Sequence, residues 1–287
     1  MAASNQKPVP PAVVPSTQRP DSEVITSRTK QRRSLLISGV VLVALLVLLI
    51  AWPGDLLSKL TFLNSGVCPQ RPSHSYFIDG QKMPLEARMI GIFAGFLLTV
   101  LALWFVGRGR ALRWPRLPVS LLLVALVMVM VVDGLNSTAL DLGWPTLYRP
   151  ENWLRVLTGA ISGAGMAGLV MPVFNLTIWK RGYLLPTFKN WREVLYALIP
   201  VVLLALGVIS GWGPLFWPIS LLAVAGVQVM LGIFNMIIAA IVIRRENRVE
   251  SASGLLLPAT LILLVSLGEM LLLAAFRQAF AGATVIF

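Results

Sequence analysis

Residues 194–243 read VLYALIPVVLLALGVISGWGPLFWPISLLAVAGVQVMLGIFNMIIAAIVI, fifty positions without one Asp, Glu, Lys or Arg. A helix crosses the hydrocarbon core of a bilayer with about 20 residues. Fifty is too long for one span and fits two joined by a turn. Gly211-Trp212-Gly213-Pro214 and Pro218 supply the breakers for that turn, and Trp212 and Trp217 suit the membrane interface. The fold class follows: an all-α, polytopic integral membrane protein.

On either side, apolar runs alternate with short charged loops. The runs place seven spans at about 34–52, 85–106, 117–135, 154–179, 194–210, 216–243 and 254–276, forming one transmembrane domain over 28–287. Residues 1–27 hold Pro8, Pro10, Pro11, Pro15 and Pro20 among small and polar residues, and are expected to be a disordered tail. The run after Arg28, Lys30, Arg32 and Arg33 is too long for a signal-peptide core and ends in no small-x-small cleavage pattern. It reads as a retained span. Residues 53–84 read as a polar connection.

Orientation follows from Lys and Arg. The tail and the loops at Arg108–Arg116, Lys180–Arg192 and Arg244–Arg248 are basic and fall on one side of a seven-span chain. The opposite loops hold only Lys59, Arg71, Lys82 and Arg149, with Arg277 just past the last span. The N-terminus is therefore expected in the cytoplasm and the C-terminus outside, in the cell membrane (the cytoplasmic membrane of a prokaryote).

Composition agrees. The chain is 57% hydrophobic and 13% charged, against about 25% charged in soluble domains. Its net charge of +12 is spread over short loops, with no soluble domain on which nucleic acid would bind. One cysteine, Cys68, and one histidine, His74, leave no intramolecular disulfide, no Cys/His zinc site and no bis-histidine haem. No phosphate loop, Ser/His/Asp set or zinc-protease motif occurs. Metal, cofactor and catalytic residues are all expected to be absent.

Depth sorts the remaining polar residues. Cys68, His74, Asp79 and Glu86 lie in or beside the first outer loop. Arg88 lies about one turn into span two, Asp133 near the outer end of span three, Arg155 at the start of span four and Glu269 in the outer half of span seven. Charges within spans pair or face a cavity. Cys68, Arg88, Asp133, Arg155 and Glu269 are the candidate outer-leaflet polar cluster. One reading is a site for a proton, ion or ligand. The other is a lock in which Arg88 and Asp133 pair while Arg155 and Glu86 reach interfacial water. Asn175, Gln228 and Asn235 are explained by interhelical hydrogen bonds, and Gly91, Gly95, Gly159 and Gly163 by close helix packing.

The stretch Cys68-Pro69-Gln70-Arg71-Pro72-Ser73-His74-Ser75-Tyr76-Phe77, then Pro84-Leu85-Glu86-Ala87-Arg88-Met89-Ile90-Gly91, resembles an uncharacterised family of small prokaryotic multi-pass membrane proteins. That family shows Cys-His-Gln-x-Pro-x-Arg-Ser-Phe followed by Pro-Leu-Cys-x-Arg-Cys-Thr-Gly. The resemblance continues through Asp133-Gly134 and Arg155-x-x-Thr158-Gly159. Here Pro69 stands for the family's histidine, His74 for its arginine, and Glu86 and Met89 for its other two cysteines. If the family site binds metal, the resemblance implies that this chain keeps the scaffold without the site.

The expected function is a non-catalytic membrane scaffold or accessory subunit, with lipid and other membrane subunits or a second copy of the chain as partners. The alternative is a small-solute or ion transporter with a polar site near the outer leaflet.

Overall fold

The computed structural model describes residues 21–280. The disorder expected of residues 1–20 lies outside them. Helix α1 (Asp21–Ala51) starts inside the stretch expected to lack structure, so 21–27 are helical. Pro20 is the last tail proline, and nothing after it interrupts a helix running into the apolar segment.

Among the described residues, seven helices are long and apolar enough to cross a membrane: α1, α3 (Ala87–Phe105), α4 (Leu117–Asp141), α5 (Asn152–Ile178), α6 (Trp191–Ile209), α7 (Phe216–Val242) and α8 (Ala252–Phe280). Two helices run on past their expected C-terminal ends. Helix α4 continues past 135 to Asp141 because its last turns bury Asn136 and Ser137 against polar partners. Helix α8 runs to Phe280, so Arg277 lies inside it.

The connection at 53–84 is more ordered than its polarity suggests. Short helix α2 (Leu56–Asn64) opens on Asp55, whose carboxylate accepts the Ser58 amide at 3.4 Å. A 3-10 turn at Pro72–His74 leads to strands β1 (Phe77–Ile78) and β2 (Gln81–Lys82), paired antiparallel. Asp79 and Gly80 join them with φ of 50° and 75°, the positive values a two-residue type I′ turn requires at both centres.

Helix α3 is the axis of the bundle, packed on α5, α6 and α7, while α5 also holds α4. The spacing of small residues did not reveal which helices touch; the structure pairs α3 with α5. A Cβ on Gly91 or Gly95 would overlap the backbone of Val156 or Ala160, and one on Gly159 or Gly163 would overlap the Arg88 or Ile92 carbonyl. Lipid supplies no hydrophobic force between helices, so this close approach is a principal source of their cohesion. Gly226 brings α7 onto the Phe93 carbonyl in the same way. Helix α1 packs on α8 and keeps most of its side chains exposed.

The two ends of the bundle differ. At one, strand β3 (Ala111–Arg113) pairs in parallel with β4 (Tyr183–Pro186), and Trp179 bridges to Val249. The three basic loops are thus joined, with Arg110 3.9 Å over the Trp179 ring and Arg108 paired with Glu193 at 2.8 Å. This is the basic end. The opposite, cap end carries α2, the hairpin and the 142–151 loop. The 210–215 turn also lies there, since Gly213 packs on the Asp79 carboxylate.

Candidate functional site

Asp133, 1% exposed, is the centre of the polar cluster at the cap end. Its Oδ2 accepts from Arg88 Nη2 at 2.6 Å and from Thr158 Oγ1 at 3.2 Å, and its Oδ1 from the Tyr148 hydroxyl at 2.8 Å. Arg88 Nη2 also donates to Ser137 Oγ at 2.9 Å, and Arg155 Nε reaches the same oxygen at 3.4 Å. Of the two arginines, Arg88 is the direct partner of Asp133, and Arg155 joins through Ser137. Helices α3, α4 and α5 are thereby clamped at one depth. Asp133 lies two turns inside α4, deeper than a span ending at 135 implies.

A second layer sits towards the cap. Arg155 is 4% exposed and Glu86 6%, so neither reaches out to interfacial water as the lock reading supposed. Arg155 Nη1 donates to Asn152 Oδ1 at 2.7 Å, and its Nη2 lies 3.5 Å from His74 Nε2. That same Nε2 is 3.3 Å from Asp141 Oδ1, while Nδ1 is 3.9 Å from Glu86 Oε2. Nε2 cannot serve both neighbours: bare, it accepts from Arg155; protonated, it donates to Asp141. Arg71 closes the ring, its amide donating to Glu86 Oε1 at 2.8 Å and its Nη1 to Asp141 Oδ2 at 2.6 Å. Three arginines (71, 88 and 155) thus face three carboxylates (86, 133 and 141).

Burial pushes His74 below its ordinary pKa, helped by the positive charges of Arg155 and Arg71 and opposed by Asp141 and Glu86. Burial pushes the Tyr148 hydroxyl up to about 12, and its bond to Asp133 acts in the same direction. Cys68 is buried and accepts from the Glu86 amide at 3.3 Å. Burial pushes its thiol up to about 11, far from the thiolate that a metal or nucleophilic role needs. Cys68 joins the cluster through Glu86, not by contact with Arg88, Asp133 or Arg155. Among the described residues, no three of His, Cys, Asp and Glu are grouped as a metal ion needs.

Glu269 does not join the cluster. It lies exposed on α8, which packs on α1, α2 and α7, and it accepts from Asn235 of α7 at 2.7 Å. Depth alone grouped it with the others, whereas its face on α8 turns it away. Asn235 also donates to Ser266, and Asn175 donates to the Ala111 carbonyl at 2.9 Å. Ser137, Asp141, Tyr148 and Asn152 escaped the sequence reading as site residues. A signal was present on α4, where Asp133, Ser137 and Asp141 recur every four residues and so share one face.

The family described as "Predicted membrane protein (DUF2085)" matches residues 68–169. An uncharacterized protein, MJ1492, of Methanocaldococcus jannaschii is 32% identical over 115 residues, covering 40% of this chain and 68% of that relative. The chain belongs to the DUF2085 family. No solved structure matches it. The segment matched to DUF2085 opens at Cys68 and takes in the hairpin and 142–151 loop of the cap, α3, α4 and most of α5, but neither α2 nor the 210–215 turn. It therefore contains the whole Arg88–Asp133–Arg155 network, while α1, α6, α7 and α8 lie outside it.

Proposed function

We propose that this DUF2085 protein is a non-catalytic membrane scaffold or accessory subunit. The observation that carries the reading is the saturation of Asp133. Both carboxylate oxygens are engaged by the chain's own Arg88, Tyr148 and Thr158, so this carboxylate is spent on holding helices together. Beneath the cluster, the glycine seam brings α3 and α5 into backbone contact, which closes that route to a solute. Helix α1, with Leu36, Val40, Val43 and Ile50 exposed, offers an apolar face to another membrane subunit or to a second copy.

The protein lies with the basic end in the cytoplasm, because Lys and Arg are retained there during insertion. Purification from native membranes in mild detergent, followed by intact-complex mass measurement, tests the function. A stoichiometric assembly supports the reading, and a lone monomer in both detergent and lipid nanodiscs overturns it.

Small-solute or ion transport is the second reading, and the exposed Glu269, bonded to Asn235 across the α7–α8 pair, favours it. Proton flux into vesicles holding the purified protein, lost in Glu269→Gln, would establish transport in place of the scaffold.

A further inference from the structure

Helix α7 meets α3 tightly at Gly226, where a Cβ would overlap the Phe93 carbonyl. Six residues nearer the basic end the packing opens: a Cβ on Gly232 would meet only Ile262, at 3.8 Å. Here α8, packed on α7, stands away from α3 and α5 and leaves a cavity of about 430 Å³, a size found among small-molecule sites. Trp104, Phe174, Gly232, Met236, Leu255 and Ala259 line it, and Leu42 of α1 borders it. Every one of these helices is a span, so the cavity lies within the hydrocarbon layer.

Its basic-end rim is cationic. Met236 is six residues, about 9 Å of helix, before the end of α7, beyond which Arg244, Arg245 and Arg248 are exposed. Trp104 stacks edge-on with Trp179 at 6.4 Å, and Arg110 sits over Trp179. Arg108 and Lys180 neutralise Glu193 and Glu250, so Glu246 is the acidic residue set among the rim arginines.

We propose that this wedge binds an anionic phospholipid, with one acyl chain in the cavity and the phosphate on the arginines of the 243–248 loop and Arg110. An apolar chamber at bilayer depth beneath a basic rim is the arrangement that anionic headgroups recognise between transmembrane helices. A neutral lipophile would leave the rim unused, and a whole helix of a second copy is too large for the chamber. Gln228 marks the competing occupant: its Oε1 is buried without a hydrogen-bond partner on the cavity wall, where a hydroxylated lipophile would donate.

The test uses the full chain in detergent and follows its thermal midpoint on adding dioleoyl phosphatidylglycerol or dioleoyl phosphatidylcholine, which share acyl chains. The expected result is stabilisation by the anionic lipid at roughly tenfold lower concentration, weakened by salt. Gly232→Leu and Ala259→Leu fill the chamber from opposite walls and should each reduce the anionic response to the zwitterionic level. If one variant fails to fold, the other still decides. Arg244→Gln combined with Arg245→Gln and Arg248→Gln should remove the preference between the lipids while leaving the phosphatidylcholine response. Equal responses to the two lipids, or an anionic response surviving a folded filling variant, would overturn the proposal. So would its loss in Gln228→Leu, or recovery of a neutral lipophile in stoichiometric amount from the purified protein.

Discussion

The Arg88 carbonyl is the surface on which Gly159 rests, and the guanidinium of the same residue meets Asp133 at 2.6 Å. One residue therefore sets both the distance from α3 to α5 and the tie from α3 to α4. Gly159→Ala must part α3 from α5 or bend one of them. The expected loss is about 1–3 kcal/mol, the usual cost of overpacking a tight contact. Gly39→Ala, with nothing within 4 Å of its added Cβ, is the control and should be neutral. Unfolding of both variants in mixed detergent micelles measures the difference.

Asp133→Asn removes the charge partner of Arg88 while keeping the side chain's shape. Breaking a buried pair from one side costs about 3–5 kcal/mol, so the thermal midpoint in detergent should fall steeply. Arg88→Met combined with Asp133→Leu removes both charges and should recover part of the loss. A double variant no more stable than Asp133→Asn would show that Tyr148 and Thr158, not the arginine, hold the carboxylate.

His74 ties stability to pH, and its sign is fixed by its surroundings. Its folded pKa lies below the ordinary 6.5, so the unfolded chain takes up the proton first as pH falls. The stability it contributes is complete above 6.5 and is lost on acidification towards the folded pKa. His74→Gln should flatten that part of the curve. As the chain has one histidine, a pH titration of imidazole NMR signals reads it without assignment.

Cys68, buried with a thiol pKa of about 11, should resist maleimide at neutral pH until the protein is denatured. With Cys68 replaced by serine, Leu147→Cys and Glu246→Cys become single reporters on exposed loops at opposite ends. An impermeant thiol reagent outside intact cells should label position 147 and leave 246 unlabelled. The reverse pattern would place the basic end outside.

The spans were legible because crossing lipid demands a long uncharged run, and the chain presents such runs between charged loops. Arg88, Asp133 and Arg155 were legible by depth, since few charges lie so far inside an apolar run. Depth is only one coordinate. Glu269 shares it but occupies another face of the bundle, and no property of a single segment reports which helices adjoin. The role of Asp141 was hidden for a different reason: helix α4 was ended at the point where its residues turn polar, although their partners were Arg88, Arg155 and the cap loops and not water. The cap was hidden too, because its order rests on contacts such as Gln70 Nε2 to the Thr61 and Pro84 carbonyls at 2.7 and 2.9 Å, between segments of no marked periodicity.

Near the C-terminal end of α8, Arg277 donates to the carbonyls of Ser65, Cys68 and Pro69, at 3.0, 2.7 and 2.7 Å. A chain threaded into the bilayer in order makes those acceptors 208 to 212 residues before the donor. Throughout synthesis the early connection waits with three carbonyls unclaimed by their final partner. Docking of α8 is thus the event that ties down this edge of the cap. A chain broken off just before Arg277 would keep the seven long helices and leave the clasp undone.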